Sequence, residues 1–363
     1  MTTRFPAADL DLNALRHNLE IVRARAPRSR IMAVTKANAY GHDLSLVAGA
    51  LGSADAMAVA RVTEGAEIRS RGFQRRIVVL EGVNNSREMA LASRYRLELV
   101  VHHADQLALL QGQPQKNAFC IWLKINTGMN RLGLSGDDAI SALKQLRKSP
   151  QVQQPVNIMT HLPKADLRAD TLTRKQIDRF AEFTADADGD LTIANSAGLL
   201  AWPECQLDWV RPGIMLYGIS PFAGQNGSEL GLKPVMHFHT RIIAKNRIKA
   251  GDSVGYGAEW TAPTATSIAI AAAGYGDGYP ARVPVDTVVA VNGRQCPVVG
   301  RVSMDMLAID LGPDAGEAVG DPVTLWGPGL PVEELARRTG RLSYELVCGV
   351  SQRVPRQTNA IRY

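Results

Sequence analysis

Eight short apolar runs, each followed by an amphipathic stretch, fill about the first 215 residues and restrict this chain more than any other feature. The runs fall at 31–36, 56–60, 76–81, 97–102, 119–125, 156–161, 191–195 and 207–210. Between them, segments such as 62–71, 105–110, 138–148 and 173–187 repeat apolar residues three and four apart, as a helix with one buried face does. A further helical pattern at 13–24 precedes the first run. Alternating strands and helices imply a parallel sheet covered by helices. Eight such units suit a (β/α)8 TIM-type barrel better than an open sheet, although periodicity by itself leaves a doubly wound sheet open.

The texture changes after about residue 230. Segments 240–248, 267–272, 287–292, 298–302, 306–310 and 323–326 read as short strands, with Asn292-Gly293 as a two-residue hairpin signal, and only 332–339 looks helical. The expected division is therefore an α/β barrel over 1–231 and a mainly-β C-terminal domain over 232–363.

Composition narrows the partners. The net charge of +6 comes from 41 basic and 35 acidic residues. They are scattered, so a solvated basic surface fits better than a nucleic-acid interface. The four cysteines form no CxxC pair, which points to buried reduced thiols and not to a disulfide frame or zinc site. The seven histidines make no recognisable ligand spacing, and His102-His103 and His237–His239 read as strand-end or surface residues, so no metal is expected. The start, Met1 to Leu10, has no apolar signal core, and no run nears the roughly 18 apolar residues of a membrane span. A cytoplasmic protein without membrane or nucleic-acid partners is expected.

Barrel active sites gather at the carboxyl ends of the strands. Those ends carry Lys36, His161, Asn195-Ser196 and Arg211, with Arg131 just beyond the fifth run. A lysine partly desolvated beside other cations has a lowered pKa and can form a Schiff base with an aldehyde. Taken singly, each residue has a plain structural reading: a surface lysine, a satisfied histidine, a salt-bridging arginine.

The segment Ala33-Val-Thr-Lys-Ala-Asn-Ala-Tyr-Gly-His42 resembles the cofactor-attachment motif of the alanine racemase family. The resemblance continues in order through Lys124-Ile-Asn-Thr-Gly-Met-Asn-Arg-Leu-Gly133, Trp209-Val-Arg-Pro-Gly-Ile-Met-Leu-Tyr-Gly218, Val254-Gly-Tyr-Gly257, Gly274-Tyr-Gly-Asp-Gly-Tyr-Pro280 and Gly300-Arg-Val-Ser-Met-Asp305. It implies interconversion of L- and D-alanine with pyridoxal 5'-phosphate, for peptidoglycan synthesis or D-alanine catabolism. By the same resemblance, Lys36 holds the cofactor and carries a proton on one face, and Tyr256 carries it on the other. Tyr40, Ser196, Gly213 and Ile214 hold the phosphate, Arg211 faces the pyridine nitrogen, and Asn195 and His161 lie close by. Arg131 binds the substrate carboxylate, Lys124 is a candidate for carbamylation, and Tyr275 and Met304 narrow the entrance. Tyr256, Tyr275 and Met304 come from the partner of a homodimer with shared sites.

The chain departs from the family pattern at Asp43, Asn126, Asn130 and Ser351-Gln352, and no third phosphate hydroxyl is assigned. The rival within the same architecture is a broader or serine-preferring racemase. A related decarboxylase would set a carboxylate and not Arg211 against the ring nitrogen, and a noncatalytic cofactor carrier would lack residues 232–363.

Overall fold

The computed structural model describes residues 5–113 and 118–358, so Met1 to Arg4 of the amino-terminal reading lie outside the described residues. Eight parallel strands close into a barrel. Preceded by an outlying strand β1 (Ala7–Leu10), they are β2 (Arg30–Val34), β3 (Ala56–Val59), β4 (Arg76–Val79), β5 (Glu98–Val101), β6 (Phe119–Lys124), β7 (Val152–Met159), β8 (Leu191–Thr192) and β9 (Trp209–Val210). All eight expected strand regions are present, and β2 pairs with β9 to leave no open edge. Strands covered on both sides should be apolar throughout, and β3 and β5 are buried at every position.

The amino-terminal end of the barrel is plugged. Arg76 pairs with Glu98 at 2.5 Å, Trp122 Nε1 donates to Glu98 Oε2 at 2.8 Å, and Trp209 Nε1 donates to Asp190 Oδ2 at 2.9 Å. The Trp122 and Trp209 rings meet edge to face with centroids 6.2 Å apart. With that end filled by paired charges and indoles, the accessible mouth is the carboxyl end.

The second unit is built on β10 (Met236–Ile248), β11 (Ser253–Val254), β12 (Trp260–Thr261), β13 (Thr266–Ala271), β14 (Val288–Val291), β15 (Arg294–Val299), β16 (Leu307–Gly312), β17 (Pro322–Trp326) and β18 (Arg356–Thr358). The main sheet runs β13-β16-β15-β14-β17-β10-β1-β18, and long β10 also pairs with β13. The Asn292-Gly293 hairpin forms as its residues dictate, with φ of 49° and 81° at the two positions.

Three expectations need correction. Strand β1 is not part of the barrel: it pairs antiparallel with β10 and parallel with β18. Its partners lie more than 220 residues away in sequence, so local periodicity could not assign it. A second helix, Ser343–Gly349, follows Val332–Thr339 and packs on the barrel mouth. The cysteines are unpaired but not all buried, because Cys348 in that helix is exposed. Among the described residues no helix is long and apolar enough to cross a membrane.

Candidate active site

Lys36 follows the end of β2 and opens an unusual turn. Ala37, Asn38, Ala39 and Tyr40 have φ of 55°, 53°, 54° and 54°, a left-handed turn of four non-glycine residues. Each costs roughly 1–2 kcal/mol in this region, so the surroundings must hold it. Glu64 Oε1 accepts from Ala37 N at 2.7 Å, and Asn38 Oδ1 accepts from Leu44 N at 2.7 Å. Gly41 ends the turn against the second unit, where a Cβ would lie 2.1 Å from Val347 O. Arg356 donates to Gly41 O at 3.2 Å.

The turn delivers the Tyr40 side chain to the start of the Ile214–Tyr217 turn, where a Cβ on Gly213 would meet the Tyr40 hydroxyl at 2.4 Å. Gly213 N donates to Ser196 Oγ at 2.9 Å. Tyr40 stacks on Tyr217, with centroids 4.8 Å apart, and is flanked by Tyr344. Neither the Tyr40 hydroxyl nor the Ser196 hydroxyl donates to a described residue, which leaves two hydrogens beside a glycine that cannot be replaced without collision. Asn195 is engaged at both ends of its amide, to Leu162 O at 3.1 Å and from Gly198 N at 2.9 Å. It sets the position of Ser196.

Arg211 is buried immediately after β9. It donates to Thr192 Oγ1 at 2.6 Å, Thr160 O at 2.5 Å and Ile193 O at 3.3 Å. His161 Nδ1 lies 3.4 Å from it. Burial first, then the cations Arg211, Lys124, Arg131 and Lys36, push His161 well below the ordinary imidazole value, so its ring is neutral. Burial likewise lowers Arg211 to about 10, still a cation at neutral pH.

Lys124, the last residue of β6, is buried, and desolvation followed by Arg211, Arg131 and Lys36 lowers it to about 7. Lys36 is lowered by burial and by Arg131, against the opposing pull of Glu81 and Glu64. Among the described residues none of Lys36, Lys124, Arg131 and Arg211 has a carboxylate within 4.0 Å. Four basic groups at one rim with no carboxylate in ion-pair contact make a site shaped for anions. With the hydroxyls at Gly213, this donor set fits a ligand that carries a phosphate and a second acidic group.

Tyr256, Tyr275 and Met304 stand elsewhere. They are 70%, 45% and 53% exposed, on three loops of the second unit that touch one another. Tyr275 N donates to Ser303 O at 3.0 Å, and Gly300 lies against Val254 O so closely that a Cβ would be 2.7 Å away. Asp305 pairs with Arg353 at 2.8 Å. Sequence reading missed Thr160, Thr192 and Tyr344, which hold Arg211 and flank Tyr40. They are ordinary residue types in unremarkable segments, and no local signal marks them.

Residues 10–221 match the family model of the alanine racemase N-terminal domain, and residues 235–358 match that of the alanine racemase C-terminal domain. An alanine racemase from Shewanella amazonensis is 46% identical over 356 residues, 96% of this chain and 98% of that protein. One from Nitrosococcus oceani is 48% identical over 97% of this chain and 99% of its own length. The crystal structure of the biosynthetic alanine racemase from Pseudomonas aeruginosa superposes with a TM-score of 0.95 at 42% identity, covering 99% of this chain and all of that one. Family models that together span most of the chain, relatives that match nearly its whole length and a matching fold agree: this chain belongs to the alanine racemase family.

Proposed function

We propose that this protein interconverts L- and D-alanine at the barrel mouth, using pyridoxal phosphate, with Lys36 and the partner subunit's Tyr256 as the two proton carriers. The observation that supports it most is the uncompensated group of Lys36, Lys124, Arg131 and Arg211 beside the Tyr40–Ser196–Gly213 cradle.

Pyridoxal phosphate, when bound, supplies an aldehyde carbon for an amine and a ring that draws electrons from the substrate Cα. The chain's residues do the rest. Tyr40 and Ser196 offer hydroxyls to the phosphate, with the Gly213–Ile214 backbone beneath them. Arg211, fixed by three oxygen acceptors, would be the residue beside the ring nitrogen and would give it no proton, because it stays charged at neutral pH. The ring is then a modest electron sink, which favours returning a proton over losing carbon dioxide. Arg131 takes the substrate carboxylate with its planar fork. The lowered pKa of Lys36 raises the share of neutral amine able to accept a proton from Cα.

Inversion requires a second carrier on the opposite face. Exposed Tyr256, with Tyr275 and Met304 beside the same loop, is suited to reach into a neighbour's mouth, which makes the working unit a homodimer. Lys124 near pH 7 is substantially a neutral amine, the form that attacks carbon dioxide. The nitrogen–carbon bond forms, one proton leaves, and the carbamate faces three cations and braces Arg131.

The test is α-hydrogen exchange in deuterated water followed by chiral analysis. Both alanine enantiomers should gain one deuterium at Cα, and the pool should approach equal amounts of each. Exchange without inversion would remove the second carrier, and release of carbon dioxide would replace the reaction class.

A further inference from the structure

On β10, His237 and His239 are two residues apart, so their rings leave the same face of the sheet. Strand β1 places Asp9 directly opposite His237 in the antiparallel ladder. These histidines lie at the start of β10, as its second and fourth residues, which agrees with a strand end, and they are half-buried, not on an open surface. One donor atom from each of the three residues lies within 4.8 Å of the others.

His239 Nε2 is 3.2 Å from Asp9 Oδ2, yet it makes no hydrogen bond to a described residue. The two atoms are near without being aimed at each other. That is how two ligands of one ion stand, since donors about 2.0–2.2 Å from a tetrahedral zinc are roughly 3.3 Å apart. The imidazoles of His237 and His239 stack with centroids 4.7 Å apart and 27° between their planes. His237 Nε2 and Thr324 Oγ1 are hydrogen-bonded at 3.0 Å.

The supporting contacts are those of an oriented ligand set. Gln357 Nε2 donates to Asp9 Oδ1 at 2.7 Å, turning the other carboxylate oxygen toward the histidines. Phe5 lies edge-on to His239, and the cation of Arg241 sits over the Phe5 ring and donates to Gly320 O.

We propose that Asp9, His237 and His239 form a binding site for a divalent cation of the zinc class, fastening β1 to β10. Two imidazoles and one carboxylate favour zinc over calcium or magnesium, which prefer oxygen donors. A cation bound only by the folded chain stabilises it by mass action, without any part in the reaction at the barrel mouth.

The test uses untagged, cofactor-loaded protein freed of metals with a chelator. Titration with zinc chloride should show one ion per chain, a dissociation constant in the micromolar range or below, and a Tm that rises with zinc. Cobalt(II) in the same site should give visible bands of a four-coordinate nitrogen–oxygen complex. The His237→Asn/His239→Asn variant should lose both signals while its metal-free activity stays at the wild-type level. Should that variant not fold, Asp9→Asn serves, with zinc affinity expected at least tenfold weaker and the cobalt bands altered. Unchanged binding in the variant that folds, a cobalt–thiolate charge-transfer band, or no uptake by wild type below 100-fold excess zinc overturns the proposal.

Discussion

The barrel mouth and the loop that carries Tyr256 are opposite in construction. At the mouth, Lys124 and Arg211 are buried and His161 is half-buried, burial lowers all three pKa values with nearby cations adding to it at Lys124 and His161, and Thr160 and Thr192 fix the arginine. On the Tyr256 loop and the two loops beside it, Tyr256, Tyr275 and Met304 are exposed. A site built within one chain is preorganised by its own packing. Large side chains presented outward around one loop have the form of a contribution to something else. On the proposed reading, one chain supplies the charged floor of a site and lends the second carrier to its neighbour.

The largest expected effect is on the floor. Lys36→Ala should abolish the absorbance of bound cofactor as a Schiff base and reduce turnover on the order of 10,000-fold or more, measured by coupled assay. Retention of both would remove Lys36 from the role.

Next comes the loop. Tyr256→Phe should retain the cofactor absorbance but slow hydrogen abstraction about 100- to 10,000-fold in one direction, seen in single turnovers from each enantiomer. Mixing this variant with Lys36→Ala sharpens the comparison. If sites are shared across a two-fold axis, half of randomly formed dimers carry one intact site, so about a quarter of wild-type activity should return. No recovery on mixing, with dimers demonstrably exchanged, would place both carriers within one chain.

The smallest effect is on pH. With Lys124 at about 7, the neutral amine is the majority form above that pH and falls roughly tenfold per unit below it. Carbamate formation should therefore weaken on acidification from pH 8 to 6, with activity declining several-fold and added bicarbonate opposing the decline. An activity indifferent to bicarbonate across that range, with no 13C signal from labelled carbon dioxide on Lys124, would leave the residue an unmodified amine.

The contrast also separates what could be read in advance. The eight apolar runs located the barrel strands because a strand buried on both faces is mainly apolar, with exceptions such as Glu98 and Lys124 at the strand ends. Rim residues followed from strand ends, since a parallel barrel gathers those ends at one mouth. Strand β1 escaped because nothing in Ala7–Leu10 identifies a partner on β10. Helix Ser343–Gly349 escaped because its partner is the Lys36–Tyr40 turn, over 300 residues earlier.

By itself, the sequence determined the alternation of strands and helices, the hairpin at Asn292-Gly293 and the order of the chemical groups along the chain. These depend on local periodicity, on φ preferences and on residue type. Only the tertiary structure decided that Tyr40 meets Gly213, that Lys124 is lowered by burial and by Arg211 and Lys36, both distant in sequence, and that Asp9 faces His237. Contact and electrostatic perturbation depend on distance in space, and for segments hundreds of residues apart that distance is fixed by closure of the barrel and of the second sheet.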